Sequence, residues 1–131
     1  MKHLLILPLA LLALMGCRSA KSAQSLTGRW VIDTAMGITA RGGDDVAFIQ
    51  FAADGKMNGC SSVNLFNAGY TLQKGNLHFT PVAMTRRMGR SMNIETAVTQ
   101  ALGAAARVKV KGQQAYILDE KNDTVMVLAK E

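Results

Sequence analysis

The chain has 131 residues, with 15 Lys and Arg against 9 Asp and Glu, for a formal charge of +6. That length holds one domain of ordinary size. Residues 26–131 carry 12 basic and 9 acidic side chains, a net of only +3, which excludes the strong basic footprint of a nucleic-acid binder.

The start reads as a targeting signal. After Met1-Lys2-His3 comes the uncharged run Leu4–Leu14. A helix of that length rises about 17 Å, short of a bilayer's roughly 30 Å hydrocarbon core. A basic start, a short apolar run and a small residue at its end predict an export signal, not a span. Leu14-Met15-Gly16-Cys17 resembles the bacterial lipobox. The resemblance implies that residues 1–16 are a removed lipoprotein signal peptide and that Cys17 is lipidated, palmitate included, on its thiol and its new amino terminus. Each buried methylene contributes about 0.8 kcal/mol and one acyl chain holds only marginally, so several chains make an anchor. The alternative is an ordinary cleaved signal with a coincidental cysteine. Residues 17–25 then form the lipidated cysteine and a polar tether. Its residues 18–25 reach at most roughly 28 Å, which keeps the domain near a membrane. Arg18, instead of an aspartate, follows the cysteine. The expected place is the cell envelope, lipid-anchored on the outer membrane and facing the periplasm.

The mature domain, 26–131, reads as mostly strands. "GRWVIDTA" places Trp30 and Ile32 on one face. "DDVAFIQFAADGKMNG" reads as two strands joined at Asp54-Gly55, where both positions accept positive φ. Val46 and Phe48 share one face of the first, and Ala47, Ile49 and Phe51 the other. "YTLQKGNLHF" predicts a hairpin turning at Lys74-Gly75-Asn76, with Tyr70, Leu72, Leu77 and Phe79 inward. Between Ser91 and Ala105 the apolar residues Ile94, Ala97, Val98, Ala101, Leu102 and Ala105 recur at three- and four-residue spacing. This predicts an amphipathic helix with Ser91 or Asn93 as N-cap. "RVKVKG", "QQAYILDE" and "TVMVLAK" return to strand alternation. The predicted class is α+β: a strongly bent, mostly antiparallel sheet forming a partly open barrel, with one covering helix near 91–105.

A search for chemistry is mostly negative. Removal of His3 leaves His78 as the one mature histidine, pointing outward between Leu77 and Phe79. No Ser-His-Asp or Cys-His set, zinc cluster or phosphate loop can be assembled, so no catalytic residue, cofactor or metal is assigned. "ARGGDD" reads as a turn, and a weak cation site at Asp44-Asp45 is the alternative. Arg86, Arg87 and Arg90 cluster before the helix, where unpaired N–H groups and the dipole favour anions. They form the candidate anion or partner patch, against the plainer reading of a solvated loop. Met84, Met88 and Met92 are spaced by four. Thioethers are soft ligands for copper(I), but more often they fill cores.

The order of segments resembles the META/HslJ-like domain family of small bacterial envelope proteins. The match opens at "LTGRWVI", Leu26–Ile32. It continues through Asp54, Gly55, Gly59, Asn64, Phe66, Gly69, Tyr70, Thr85 and Met88 to Glu95 in the helix, and covers about residues 26–131. By this resemblance Gly59, Asn64, Gly69, Tyr70, Thr85 and Glu95 are fold determinants. Gly59 and Gly69 are expected where the backbone is tight, and Asn64 is expected to hydrogen-bond within its own loop. Many relatives pair a second cysteine, after the threonine, with the one beside the glycine. Thr85–Gly89 holds none, so Cys60 is expected unpaired and buried. The resemblance implies a non-catalytic, monomeric structural or binding module linked to envelope stress, with an envelope protein or polymer as partner. Gly28-Arg29-Trp30 also resembles the opening of the lipocalin barrel, which implies a carrier of a small apolar ligand instead. A third expectation is an inhibitor of an envelope hydrolase.

Overall fold

In a barrel, residues at every second position must fill the interior. Strand β1 (Gly28–Ala35) meets this with Trp30 and Ile32, buried at 1% and 0% exposure. The computed structural model describes residues 26–131, so the expected export signal, Cys17 and the expected tether lie outside the described residues. After β1 come β2 (Ile38–Thr39), β3 (Phe48–Phe51), β4 (Lys56–Cys60), β5 (Leu65–Gln73), β6 (Asn76–Phe79) and β7 (Ala83–Met84). Helix α1 (Met92–Ala104) follows, and β8 (Arg107–Lys111), β9 (Gln114–Leu118) and β10 (Thr124–Lys130) end the chain.

The sheet bends until it meets itself. β1 pairs with β3 on one edge and with β10 on the other, and all described pairings are antiparallel. Eight strands thereby close a barrel, in the order β1-β3-β4-β5-β6-β8-β9-β10. Its thinnest junction lies between β6 and β8, where only Asn76 and Arg107 are register partners. Bonds from Leu77 N–H to Ala106 C=O and from Val108 N–H to Gly75 C=O support it. β2 and β7 stand outside the closed path, each paired on one side only.

The interior is filled by side chains. Trp30, Ile49, Phe51, Met57, Phe66, Ile117, Met126 and Leu128 are all essentially inaccessible. A fully buried side chain of this size contributes about 1.5–3 kcal/mol by leaving water. Leu77 is buried, and Tyr70, Leu72 and Phe79 pack half-buried against the same core. Phe51 organises the aromatic part: the Tyr70 ring stands edge-on to it at 5.0 Å and Phe79 stacks at 6.4 Å. Outside β3 the second apolar face meets no layer. Val46 is 61% exposed, and the Arg29 guanidinium covers the Phe48 ring from 3.7 Å.

Helix α1 buries Ile94, Ala97, Val98, Ala101 and Leu102, five of the six residues of the predicted stripe, against β1, β2 and β10; the sixth, Ala105, lies past the helix end in extended backbone and is half-buried. Two local expectations change. The turn after β3 is a four-residue loop, Ala52–Gly55, in which Gly55 alone has positive φ (+84°). The Asp54 carboxylate instead accepts the Lys56 N–H, which fixes the turn without a left-handed aspartate. Ser91 does stand at the N-cap position of α1, yet its side chain makes no cap bond. Its hydroxyl is committed elsewhere, to Asp44.

Candidate functional site

The end of the barrel where β4 stops and β5 begins is closed by polar groups. Ser61 and Asn64 pin the connecting turn: the Ser61 N–H donates to the Asn64 C=O, and the Asn64 N–H donates to Ser61 Oγ. Inside that turn Ser62 takes φ +81°, and its buried hydroxyl finds no partner among the described residues. The turn leaves the Asn64 side chain pointing across to the segment before the helix. Its Nδ2 donates to the Arg87 C=O at 3.1 Å. Its Oδ1 accepts the Thr85 hydroxyl at 2.9 Å and the Arg87 N–H. Thr85 Oγ1 in turn accepts the Leu65 N–H at 3.0 Å. One asparagine thus holds a distant segment, where the sequence predicts bonds within its own loop. A carboxamide offers donor and acceptor side by side, which lets it mimic a strand partner.

A second set holds the helix start. Asp44 Oδ2 accepts the Arg90 N–H at 2.9 Å, and Oδ1 accepts the Ser91 hydroxyl at 3.1 Å. Ser91 Oγ accepts the Asp44 N–H at 2.9 Å, and Asp45 N–H donates to the Ser62 C=O. The Arg90 amide, then the Ser91 hydroxyl and amide and the Arg90 charge, hold the exposed Asp44 carboxyl below the usual aspartate value, against some opposing desolvation. A carboxylate of the chain itself therefore already sits beside the helix N-terminus, the position that favours an anion. Gly89 makes room for it, since a Cβ there would lie 2.5 Å from Asp44 Oδ2. We call the two sets together the latch. The run "CSSVN" reads in sequence like any polar turn, and nothing in it marks Ser61, Ser62, Asp44, Gly89 and Ser91 as one assembly.

Outside the latch runs an open groove of about 430 Å³, between the segment 82–88 and the first turns of α1. Val82, Met84, Met88 and Met92 give it an apolar lining, and Arg86, Arg87 and Glu95 give it charge. The structure brings Arg86 and Arg87 to this groove and leaves Arg90 outside it. All three arginines are exposed, and none forms an ion pair among the described residues. Met88 is 84% exposed. Met84 is half-buried, with its sulfur 3.6 Å from the Thr99 hydroxyl. The Glu95 carboxylate accepts that same hydroxyl at 3.2 Å.

The remaining marked residues lie in the barrel wall. A Cβ on Gly59 would collide with the Phe48 C=O and the Phe66 ring, so only glycine fits between those strands. Gly69 lies against Thr80, whose hydroxyl accepts its N–H at 2.8 Å. The Tyr70 hydroxyl donates to the Ala52 C=O at 2.6 Å, and burial pushes its pKa up. Cys60 is 3% exposed and unpaired among the described residues; burial raises its thiol, with the Ser62 amide acting in the opposite direction. His78 is exposed. Among the described residues no three His, Cys, Asp or Glu side chains come together as a metal site, and no helix is long and apolar enough to cross a membrane.

The family model of the META domain matches residues 24–131. The chain belongs to the META domain family. Two of the solved structures that resemble this one share its fold. An NMR structure of a protein from Burkholderia xenovorans is 23% identical, with a TM-score of 0.65 over 85% of this chain and 87% of that one. The crystal structure of a duf4847 family protein from Bacteroides vulgatus is 14% identical, with a TM-score of 0.61 over 81% of this chain and 94% of that one. At these identities the likeness concerns the fold. A search of curated proteins gives no match. The META domain match indicates no catalytic family.

Proposed function

We propose that this META domain is a non-catalytic binding module, tethered through an acylated Cys17 to the outer membrane's periplasmic face, where it supports the envelope under stress. The lipobox resemblance supports the tether. The observation that carries the binding reading is the groove. It presents exposed, unpaired guanidiniums at Arg86 and Arg87 beside an apolar lining, on a segment fixed from behind by Asn64. A mere solvated loop has no need of a buried asparagine to hold its shape. The partner is an envelope component, and the domain is a monomer. The filled barrel interior gives the carrier reading no support, because Trp30, Phe51 and Leu128 occupy the space a ligand would need.

Two experiments test this. The first labels wild type and Cys17→Ser with palmitate and fractionates the cells; label and membrane association are expected in the wild type only. The second compares pull-downs from intact envelopes by wild type, Arg86→Ser/Arg87→Ser and Arg90→Ser. A partner is expected with wild type and Arg90→Ser and lost with the double variant. Equal capture by all three would refute the groove reading, and capture of a hydrolase would favour the inhibitor alternative.

A second reading rests on one observation: Met84, Met88 and Met92 all line this groove. Three thioethers suit copper(I). Competition with a copper(I) chelator by wild type, but not by the triple leucine variant, would favour it.

A further inference from the structure

A closed barrel has no free strand edge, but this one carries an extra strand whose outer edge is free. β7 pairs with β5 alone, with Met84 opposite Phe66 and Ala83 opposite Asn67. Thr85 N–H donates to the Leu65 C=O, and the Arg87 N–H and C=O are taken by Asn64. Successive residues of a strand turn their backbone groups to opposite sides. If Thr85 and Arg87 face β5 and Asn64, then the N–H and C=O groups of Met84 and Arg86 face away from β5, on the segment that lines the groove. The Arg86 backbone makes no hydrogen bond among the described residues. The strand Ala83–Met84 and the segment that continues it are therefore held from the β5 side, and among the described residues nothing pairs with the other side.

We infer that the groove binds an extended protein segment that adds to the Met84–Arg86 edge as a strand and alternates acidic with apolar side chains. The inference rests on the groove reading above and supplies the partner's chemistry. Strand addition takes its affinity from main-chain bonds and its specificity from side-chain pockets. Here the edge offers the main-chain bonds. Val82, Met84, Met88 and Met92 offer a lining that adapts, because thioether side chains are unbranched and polarizable. Arg86 and Arg87 have no carboxylate partner among the described residues, and charge complementarity calls for acidic residues in the incoming segment. Glu95 lies across the groove on the helix and repels a carboxylate there, which places the acidic side chains on the arginine side. The latch fixes the edge in advance, so little ordering cost falls on binding.

The probe is a short blocked peptide alternating Glu or Asp with Leu, titrated against the soluble domain. Before addition, the amides of Met84 and Arg86 should exchange with solvent faster than those of Thr85 and Arg87, and binding should slow them. Arg86→Ser/Arg87→Ser should weaken the probe by about tenfold or more, as lost bonds to charged groups do. Methylating alternate probe nitrogens should cost about fivefold per main-chain bond removed. Undiminished binding of the methylated probe overturns strand addition, and undiminished binding of one with Lys in place of its acids overturns the acidic partner. Equal displacement by inorganic polyphosphate overturns the peptide as partner class. If the probe does not bind while an envelope partner is still lost in the arginine variant, this inference falls and the groove reading stands. If that partner is kept, the groove reading falls with it.

Discussion

Phe51 and Asn64 are both buried, at 1% and 2% exposure, but different forces hold them. Phe51 touches neighbours on several strands and needs no particular direction from any of them. Its stabilisation grows with the apolar area it hides. Asn64 is held by directed bonds to Thr85 and Arg87, and each bond is worth little net of what water would supply. The barrel interior therefore provides stability, while the latch provides position. The difference explains why the groove sits where it does. An apolar contact would let the 85–91 segment slide, whereas a carboxamide fixes its register.

The largest effect belongs to the interior. Phe51→Ala should cost about 3–5 kcal/mol in urea unfolding, from lost transfer energy plus the cavity it leaves. Asn64→Ala comes next. It removes three directed bonds to Thr85 and Arg87, each worth about 0.5–1.5 kcal/mol net, and the expected loss is about 2 kcal/mol. The comparison sharpens in a double-mutant cycle. Asn64→Ala with Thr85→Ala should couple by about 0.5–3 kcal/mol, since the two share bonds. Phe51→Ala with Thr85→Ala should be nearly additive. Additivity in both pairs would mean that the latch is not a unit.

Cys60 reports whether latch and barrel open together. It ends β4 beneath the latch, and its thiol is shielded and pushed towards the neutral form by burial. A thiol reagent should label it slowly in the native domain and rapidly in denaturant. If the latch opens by itself, Asn64→Ala should speed native labelling severalfold at a concentration of urea where Leu128→Ala changes it little. Equal acceleration by both variants would make the domain one cooperative block.

The same contrast decides what could be read from the sequence. Alternation marks Trp30, Ile32 and Leu77 as inward because a strand's period is two, and the stripe of α1 repeats at helical spacing. Those signals are local. The order from the Asp54-Gly55 turn through Gly59, Asn64 and Tyr70 to Glu95 carried the family, and the match over residues 24–131 agrees. The latch carries no such signal. Asp44 and Ser91 lie far apart in sequence, and each alone reads as a turn residue or a cap. Their bond exists only once the barrel brings the two loops to one end. Arg86 and Arg87 were visible as a cluster, but the departure of Arg90 from it depends on the Asp44 carboxylate that holds its amide. Likewise the free edge of β7 follows from the tertiary pairing with β5, which no two-residue strand announces.

The smallest effect is the dependence on pH at Asp44. Its carboxyl titrates below the usual aspartate value of 3.8 in the folded domain, first because the Arg90 amide donates to it and then through Ser91. A group with a lowered folded pKa binds its proton more readily when unfolded. Its contribution is present above the unfolded value and is lost as pH falls through the folded one. Asp44→Asn should therefore be less stable than wild type near neutral pH, and the two should converge in acid, below about pH 4. The barrel provides the control. Phe51→Ala removes no titratable group, so its deficit should stay constant over the same range. The site is exposed, and the slope should be shallow enough to need closely spaced unfolding curves. A gap between Asp44→Asn and wild type that stays fixed from neutral to acid would show that the carboxylate's charge plays no part in the latch, and that shape alone holds the helix start.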